Sequence, residues 1–161
     1  MANEKELKQA QATYQTLLKM LQENDWHFER DDKNLTIECS AKGDDLSMDI
    51  TFRIDAERQL AILYSHMPFT IPEDKRSKLA IAVSIANYRM VDGSFDYDFL
   101  SGRILFRMTS SFLDSIIDKK LLEYMLYVSC HTIDEYNDKF LVISQMDMPL
   151  DQMIKYLEGD N

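Results

Sequence analysis

Apolar residues recur along the chain at two periods, and the switches between them mark the elements. Leu7, Ala10, Tyr14, Leu17, Leu18 and Leu21 share one face at helical spacing, which predicts an amphipathic helix over 4–23. Asn3, with Glu6 three positions on, has the form of a capping box, in which Asn accepts a backbone N–H and Glu reaches back. Asn24-Asp25 closes the segment. The period then falls to two. Trp26 to Arg30 predicts a short first strand, ended by Asp31-Asp32-Lys33-Asn34. Leu35, Ile37, Cys39 and Ala41 alternate with Thr36, Glu38 and Ser40. After the turn Lys42-Gly43-Asp44-Asp45, Leu46, Met48, Ile50, Phe52 and Ile54 alternate with Ser47, Asp49, Thr51 and Arg53. Alternation this strict puts one face on a core and the other in water, and the short turns make antiparallel hairpins. Leu60 to Tyr64 is apolar on both faces, the mark of a strand more covered than its neighbours.

Thr70-Ile71-Pro72-Glu73-Asp74 reads as a helix start, with Pro in the first turn and two acids at the positive end of the dipole. That helix is expected to run to about Val91 and stop at Asp92-Gly93. Phe95, Tyr97 and Phe99 alternate with Asp96 and Asp98, and a turn at Ser101-Gly102 leads to a strand over Arg103–Thr109. Asp118 opens a long helix lasting to about Ser144, and a last short helix begins at Pro149. The order α-β-β-β(-β)-α-β-β-α-α predicts an α+β fold: an antiparallel sheet of five or six strands with helices packed on one face. The chain reads as one domain over 1–161, with a core at about 26–143, an N-terminal helix at 4–23 and a C-terminal helical extension at 149–158.

The middle helix departs from this plan. Leu79, Ala82, Val83, Ala86 and Met90 cluster on one side, as packing on a sheet requires. Ile81, Ile85 and Tyr88 fall on nearly the opposite side, where a helix with a wet outer face should be polar. Either another helix of the chain covers them or a second molecule does, a second copy of the chain across a two-fold axis being one form. Tyr124 and Tyr127, on the outer side of the long helix, raise the same question.

Composition narrows the function classes. With 161 residues and 45% hydrophobic side chains, the chain buries enough surface to fold without a metal or disulfide staple. The 28 acids and 18 bases give a formal charge of −10 and a pI near 4.7, a surface that repels phosphate backbones and anionic membranes. The densest basic run, Lys75, Arg76 and Lys78, follows Glu73 and Asp74, so neither nucleic acid nor membrane is expected as a partner. The start lacks the apolar run of a signal peptide, and Cys39 and Cys130 lie far apart in apolar patterns. They read as reduced core thiols of a cytoplasmic protein.

No catalytic or cofactor pattern stands out. Adjacent Cys130 and His131 point about 100° apart on a helix and cannot meet. His131 and Glu135 have the i, i+4 spacing of a metal pair, to which His27 or His66 could add a third ligand, but there is no second cluster. Asp96 and Asp98 share a strand face as Ca²⁺ ligands would, and alternation on an exposed strand explains them without an ion. The four glycines form no phosphate-binding loop. Met125, Met146, Met148 and Met153 suit either a core or an adaptable binding surface. The reading is a protein without enzymatic activity, metal or cofactor.

The run from Ala86-Asn87-Tyr88 through Gly93-Ser94-Phe95-Asp96-Tyr97-Asp98 to Gly102-Arg103-Ile104-Leu105-Phe106-Arg107 resembles the YbjN family of bacterial proteins, and the resemblance extends over about residues 26–143. It implies a fold like that of the type III secretion chaperones, a role in sensory-transduction regulation, and no catalytic residues. Those chaperones are commonly homodimers built on the middle helix, which lends weight to Ile81, Ile85 and Tyr88 as a self-association or partner surface. The expectation is a homodimeric regulator or chaperone-like adaptor for another protein. The rival is a small-ligand sensor with a pocket between sheet and helices near Tyr64, Phe95 and Phe106.

Overall fold

In a computed structural model that describes residues 1–159, the switches in period become element boundaries. The elements are α1 (Glu4–Glu23), β1 (Phe28–Asp31), β2 (Thr36–Lys42), β3 (Ser47–Asp55), β4 (Leu60–Thr70), α2 (Arg76–Tyr88), β5 (Ser94–Asp98), β6 (Arg103–Ser111), α3 (Lys119–Gln145) and α4 (Leu150–Glu158). A single 3₁₀ turn at Glu73–Lys75 leads into α2.

The capping box at Asn3 and Glu6 forms in both directions, at 2.9 and 2.7 Å. The other end of α1 closes in a Schellman motif: the Trp26 N–H donates to the Leu21 carbonyl, and the Asp25 N–H to that of Gln22. Asp25 sits at φ 56°, the left-handed conformation this motif demands. Asp118 caps α3 by accepting the Leu121 N–H at 2.9 Å.

The six strands pair antiparallel in the order β1-β2-β3-β4-β6-β5. Consecutive strands are neighbours except at β5, which the β5–β6 hairpin places on the far edge. Leu60 to Tyr64 belongs to β4, inside the sheet between β3 and β6, which accounts for its two apolar faces. The ladder to β6 shifts register between His66 and Thr70, where Pro68 has no N–H to give. Ile37, Ile50, Phe52, Leu63 and Phe106 face the helices and are fully buried, whereas Glu38, Arg53 and Arg107 face solvent. Helix α3 packs on β3, β4 and β6 and against the other three helices. Its Tyr136 and Phe140 meet Phe95 at ring separations of 5.5 and 5.0 Å, and Phe106 completes the aromatic cluster at 5.3 Å.

Several boundaries differ from the pattern: β4 continues past Tyr64 to Thr70, so the expected helix start at Thr70 falls in a strand and α2 begins at Arg76. Helix α2 ends at Tyr88 and not near Val91, because Gly93, at φ 76°, must turn the chain over the Phe106 ring. Phe99 lies outside β5, since Asp98 accepts from the Leu100 N–H and the Ser101 hydroxyl and starts the turn there. The first strand begins at Phe28, two residues beyond the Trp26 that serves the cap of α1.

Candidate interaction surface

Helix α2 divides into three sides. Leu79, Ala82, Val83 and Ala86 are buried. A second side bears Lys78, Ile85 and Arg89, and α4 lies along it. The Lys78 ammonium donates to the Met146 carbonyl at 3.2 Å and stands 3.9 Å from Asp147, while Arg89 pairs with Glu158 at 3.1 Å. Ile85, between these anchors, is half-buried. The third side carries Ser77, Ile81, Ser84 and Tyr88 at i, i+4, i+7 and i+11, and all four are exposed. Ile81 is 48% and Tyr88 90% accessible. The three residues singled out in the sequence therefore separate: α4 flanks Ile85, and Ile81 and Tyr88 remain open.

The neighbouring surface extends this apolar edge. The Arg76 guanidinium donates to the Leu100 carbonyl at 2.7 Å, and Asn87 is bound to Phe95, so α2 runs antiparallel to β5 along its outer side. Leu100 and Phe99 are exposed near the start of α2, and Val91 beyond its end.

The residues of the sequence motif hold this edge together. The Asn87 side chain donates to the Phe95 carbonyl and accepts the Phe95 N–H, each at 2.8 Å. One amide thus satisfies the backbone of an edge strand, where unpaired groups invite strand addition. Gly93 and Gly102 both hold positive φ, with Phe106 and the Ile71 carbonyl where a Cβ would stand. Asp96 receives two hydrogen bonds from Arg107, at 2.6 and 3.1 Å. Of the motif's aromatic side chains, Tyr88 alone is exposed.

The other candidates take structural places. Glu135 pairs with Lys139 at 3.7 Å while His131 is exposed. Burial pushes the Cys130 thiol up to about 11 and the Cys39 thiol up to about 12, far from the thiolate that nucleophilic chemistry needs. Met125 and Met153 fill the core, and Met146 is exposed. A pocket at Tyr64, Phe95 and Phe106 does not form: Tyr64 pairs with Arg107 and so faces solvent, whereas Phe95 and Phe106 lie opposite each other on the packed face. The two larger hollows lie at the other end of the sheet. One, of 760 Å³, runs between the end of α1, the β2–β3 turn and the first half of α3. A second, of 830 Å³, lies over β1–β3, and Trp26 lines both. Pattern reading missed them because three distant segments build the walls; the outward Tyr124 and Tyr127 were the only signal. No described helix is long and apolar enough to cross a membrane.

A family model for YbjN, described as "Putative bacterial sensory transduction regulator", matches residues 13–142. A search of curated proteins finds no match. Among solved structures, YbjN from E. coli aligns with a TM-score of 0.56 at 12% identity, covering 78% of this chain and 91% of that one. The ExsC–ExsE complex gives a TM-score of 0.56 at 15% identity, over 78% of this chain and 90% of its counterpart. The HopA1–SchA chaperone–effector complex gives 0.53 at 14%, over 84% and 96%. At these identities the likeness is one of fold.

Proposed function

The chain belongs to the YbjN family, and from that premise we propose that it is a non-enzymatic regulator or chaperone-like adaptor of the bacterial cytoplasm. It works as one domain and as a homodimer joined through α2, and it binds a partner protein. The observation that carries this reading is the open stripe of Ile81 and Tyr88 on a helix whose other sides are packed. A Tyr 90% exposed and a β-branched Ile gain little in water and are well suited to a two-fold contact, where each copy buries the other's stripe. The α2 axis, about 20 Å long at 1.5 Å per residue, is enough to seed such an interface. The likeness in fold to a chaperone–effector complex supports a protein as partner.

Light scattering on the eluting protein tests the dimer. The expected mass is twice the chain's 18.9 kDa, falling to one chain for Ile81→Asp and Tyr88→Asp with the circular dichroism spectrum unchanged. A wild-type monomer, or variants that stay dimeric, would refute the α2 interface. Co-purification of the tagged protein from its native cytosol tests the partner: a near-stoichiometric second protein is expected, and a clean self-complex counts against the adaptor role.

A further inference from the structure

A second surface, separate from the Ile81–Tyr88 stripe, has its own chemistry. Along α3, Tyr124, Tyr127, His131 and Asp134 recur at i, i+3, i+7 and i+10 and form one wall of the 760 Å³ groove. The stretch from Lys120 to Asp134 is about 21 Å long at 1.5 Å per residue. The opposite wall and floor bring Met20, Trp26 and Met48, with the turn at Gly43-Asp44 closing one end. That turn is fixed: Asp134 accepts the Asp44 N–H at 2.9 Å, and its carboxylate stands where any Cβ on Gly43 would go. The groove is thus a preformed apolar and aromatic channel, with Tyr127 79% exposed inside it.

The charge around it is one-sided. Residues 23–49, which supply much of both hollows, contain nine acids and three bases, so most of the chain's net charge of −10 lies at this end. Glu29 and Glu38 stand directly opposite each other across β1 and β2, an arrangement that costs stability. Asp49 lines the same hollow. The nearby cations are engaged elsewhere, Arg30 with Asp32 and Arg53 with Asp55, each at 3.6 Å. Lys42 and Lys120 also line the groove, yet across the two hollows Glu29, Glu38, Asp44, Asp49, Glu123 and Asp134 outnumber them.

We propose that this groove docks a basic amphipathic segment of a partner protein. Its apolar face lies along Trp26, Tyr124 and Tyr127, and Arg or Lys side chains at the end nearest Trp26 pass round the sheet edge to Glu29, Glu38 and Asp49, which face the outer side of the sheet. Aromatic faces beside carboxylates favour guanidinium, which stacks on the ring while its N–H groups bind the acid. Arrival of a cation also relieves the Glu29–Glu38 repulsion, which gives the surface a preference for cationic segments over neutral ones. Resting on the protein-binding reading, this assigns the partner site to a surface separate from α2.

Trp26 is the chain's single tryptophan, so its emission reports occupancy. Two helical probe peptides of about 14 residues, matched to the groove's length, would share a Leu face and carry either Arg or Glu on the polar face. A third probe would keep the Arg residues and replace Leu by Ser. Only the Arg–Leu peptide is expected to shift Trp26 emission, and added salt should weaken it. Tyr127→Ala and Glu38→Lys should each weaken it on the order of tenfold, while Ile81→Asp leaves it unchanged. Glu38→Lys should also make the free protein more resistant to urea, which separates lost binding from lost folding. Equal binding by the Glu–Leu or the Arg–Ser peptide would overturn the assignment, as would binding that survives Tyr127→Ala and Glu38→Lys. If a co-purified partner stays on the groove variants, the groove fails while the adaptor reading stands; if no partner and no probe binds, both fail.

Discussion

Tyr14 shows how one side chain joins a helix to a sheet edge. Its ring is buried in the core, and its hydroxyl reaches the surface to donate to Asp32 at 2.9 Å, with the Thr36 carbonyl at 3.5 Å. Burial first, and the Asp32 hydrogen bond second, push the phenol up to about 12 from 10.0. The folded state thus holds this proton more tightly than the unfolded chain does. The resulting stabilisation is whole below pH 10 and is lost as pH rises toward 12. Tyr14→Phe keeps the ring and removes the hydrogen bond, so urea titrations at neutral pH should show a loss of about 1 kcal/mol. Between pH 10 and 12 the wild type's stability should fall faster than the variant's. Parallel declines would mean that the fold does not raise the Tyr14 phenol.

At the scale of elements, the α2–β5 unit depends on Asn87. Asn87→Ala leaves the Phe95 N–H and carbonyl without their partner, and an unmet pair of this kind costs about 1–3 kcal/mol. Hydrogen exchange should speed up at Phe95 while the β2–β3 ladder stays protected. Asn87→Asp, which keeps the acceptor and loses the donor, should fall between the two. An unchanged Phe95 rate in Asn87→Ala would show that the edge holds without the clamp. This helix also shows what pattern can and cannot carry. The caps at Asn3 and Asp118, the β2–β3 alternation and the buried side of α2 are local, and their spacing alone revealed them. The packing on the Lys78–Arg89 side is not local: α4, more than sixty residues on, lies along it, so periodicity could report two apolar sides without deciding which was open. The groove escaped for the same reason, since Met20, Met48 and Tyr127 each look like ordinary members of their own elements. The same limit applied to Phe95 and Tyr64, where pairing in the sheet, not aromatic character, decided which face each took.

Across the whole molecule the two surfaces adjoin opposite edge strands, α2 beside β5 and the acidic hollows beside β1–β3, and the Tyr124 hydroxyl, bound to Asp92 beyond the end of α2, links the groove wall to the α2 side. A dimer through α2 therefore keeps the two concentrations of negative charge apart and leaves both grooves free. What shapes the α2 end is α4, which lies beyond the residues the family model matches. It buries Met153 and Leu157 to 1% and 2% exposure and occupies the Lys78–Arg89 side. Deleting residues 147–161 uncovers that side, and the two lost apolar anchors are worth roughly 3–6 kcal/mol of stability at the usual transfer energies. The shortened chain should unfold at a clearly lower urea concentration. It should also sediment as larger or tighter assemblies than the full chain, because Ile85 then joins Ile81 and Tyr88 in one wide apolar face. Combining the deletion with Ile81→Asp should reverse the association without restoring stability. If the deletion leaves both stability and association unchanged, α4 has no part in limiting the α2 surface, and the half-burial of Ile85 must come from α3 alone.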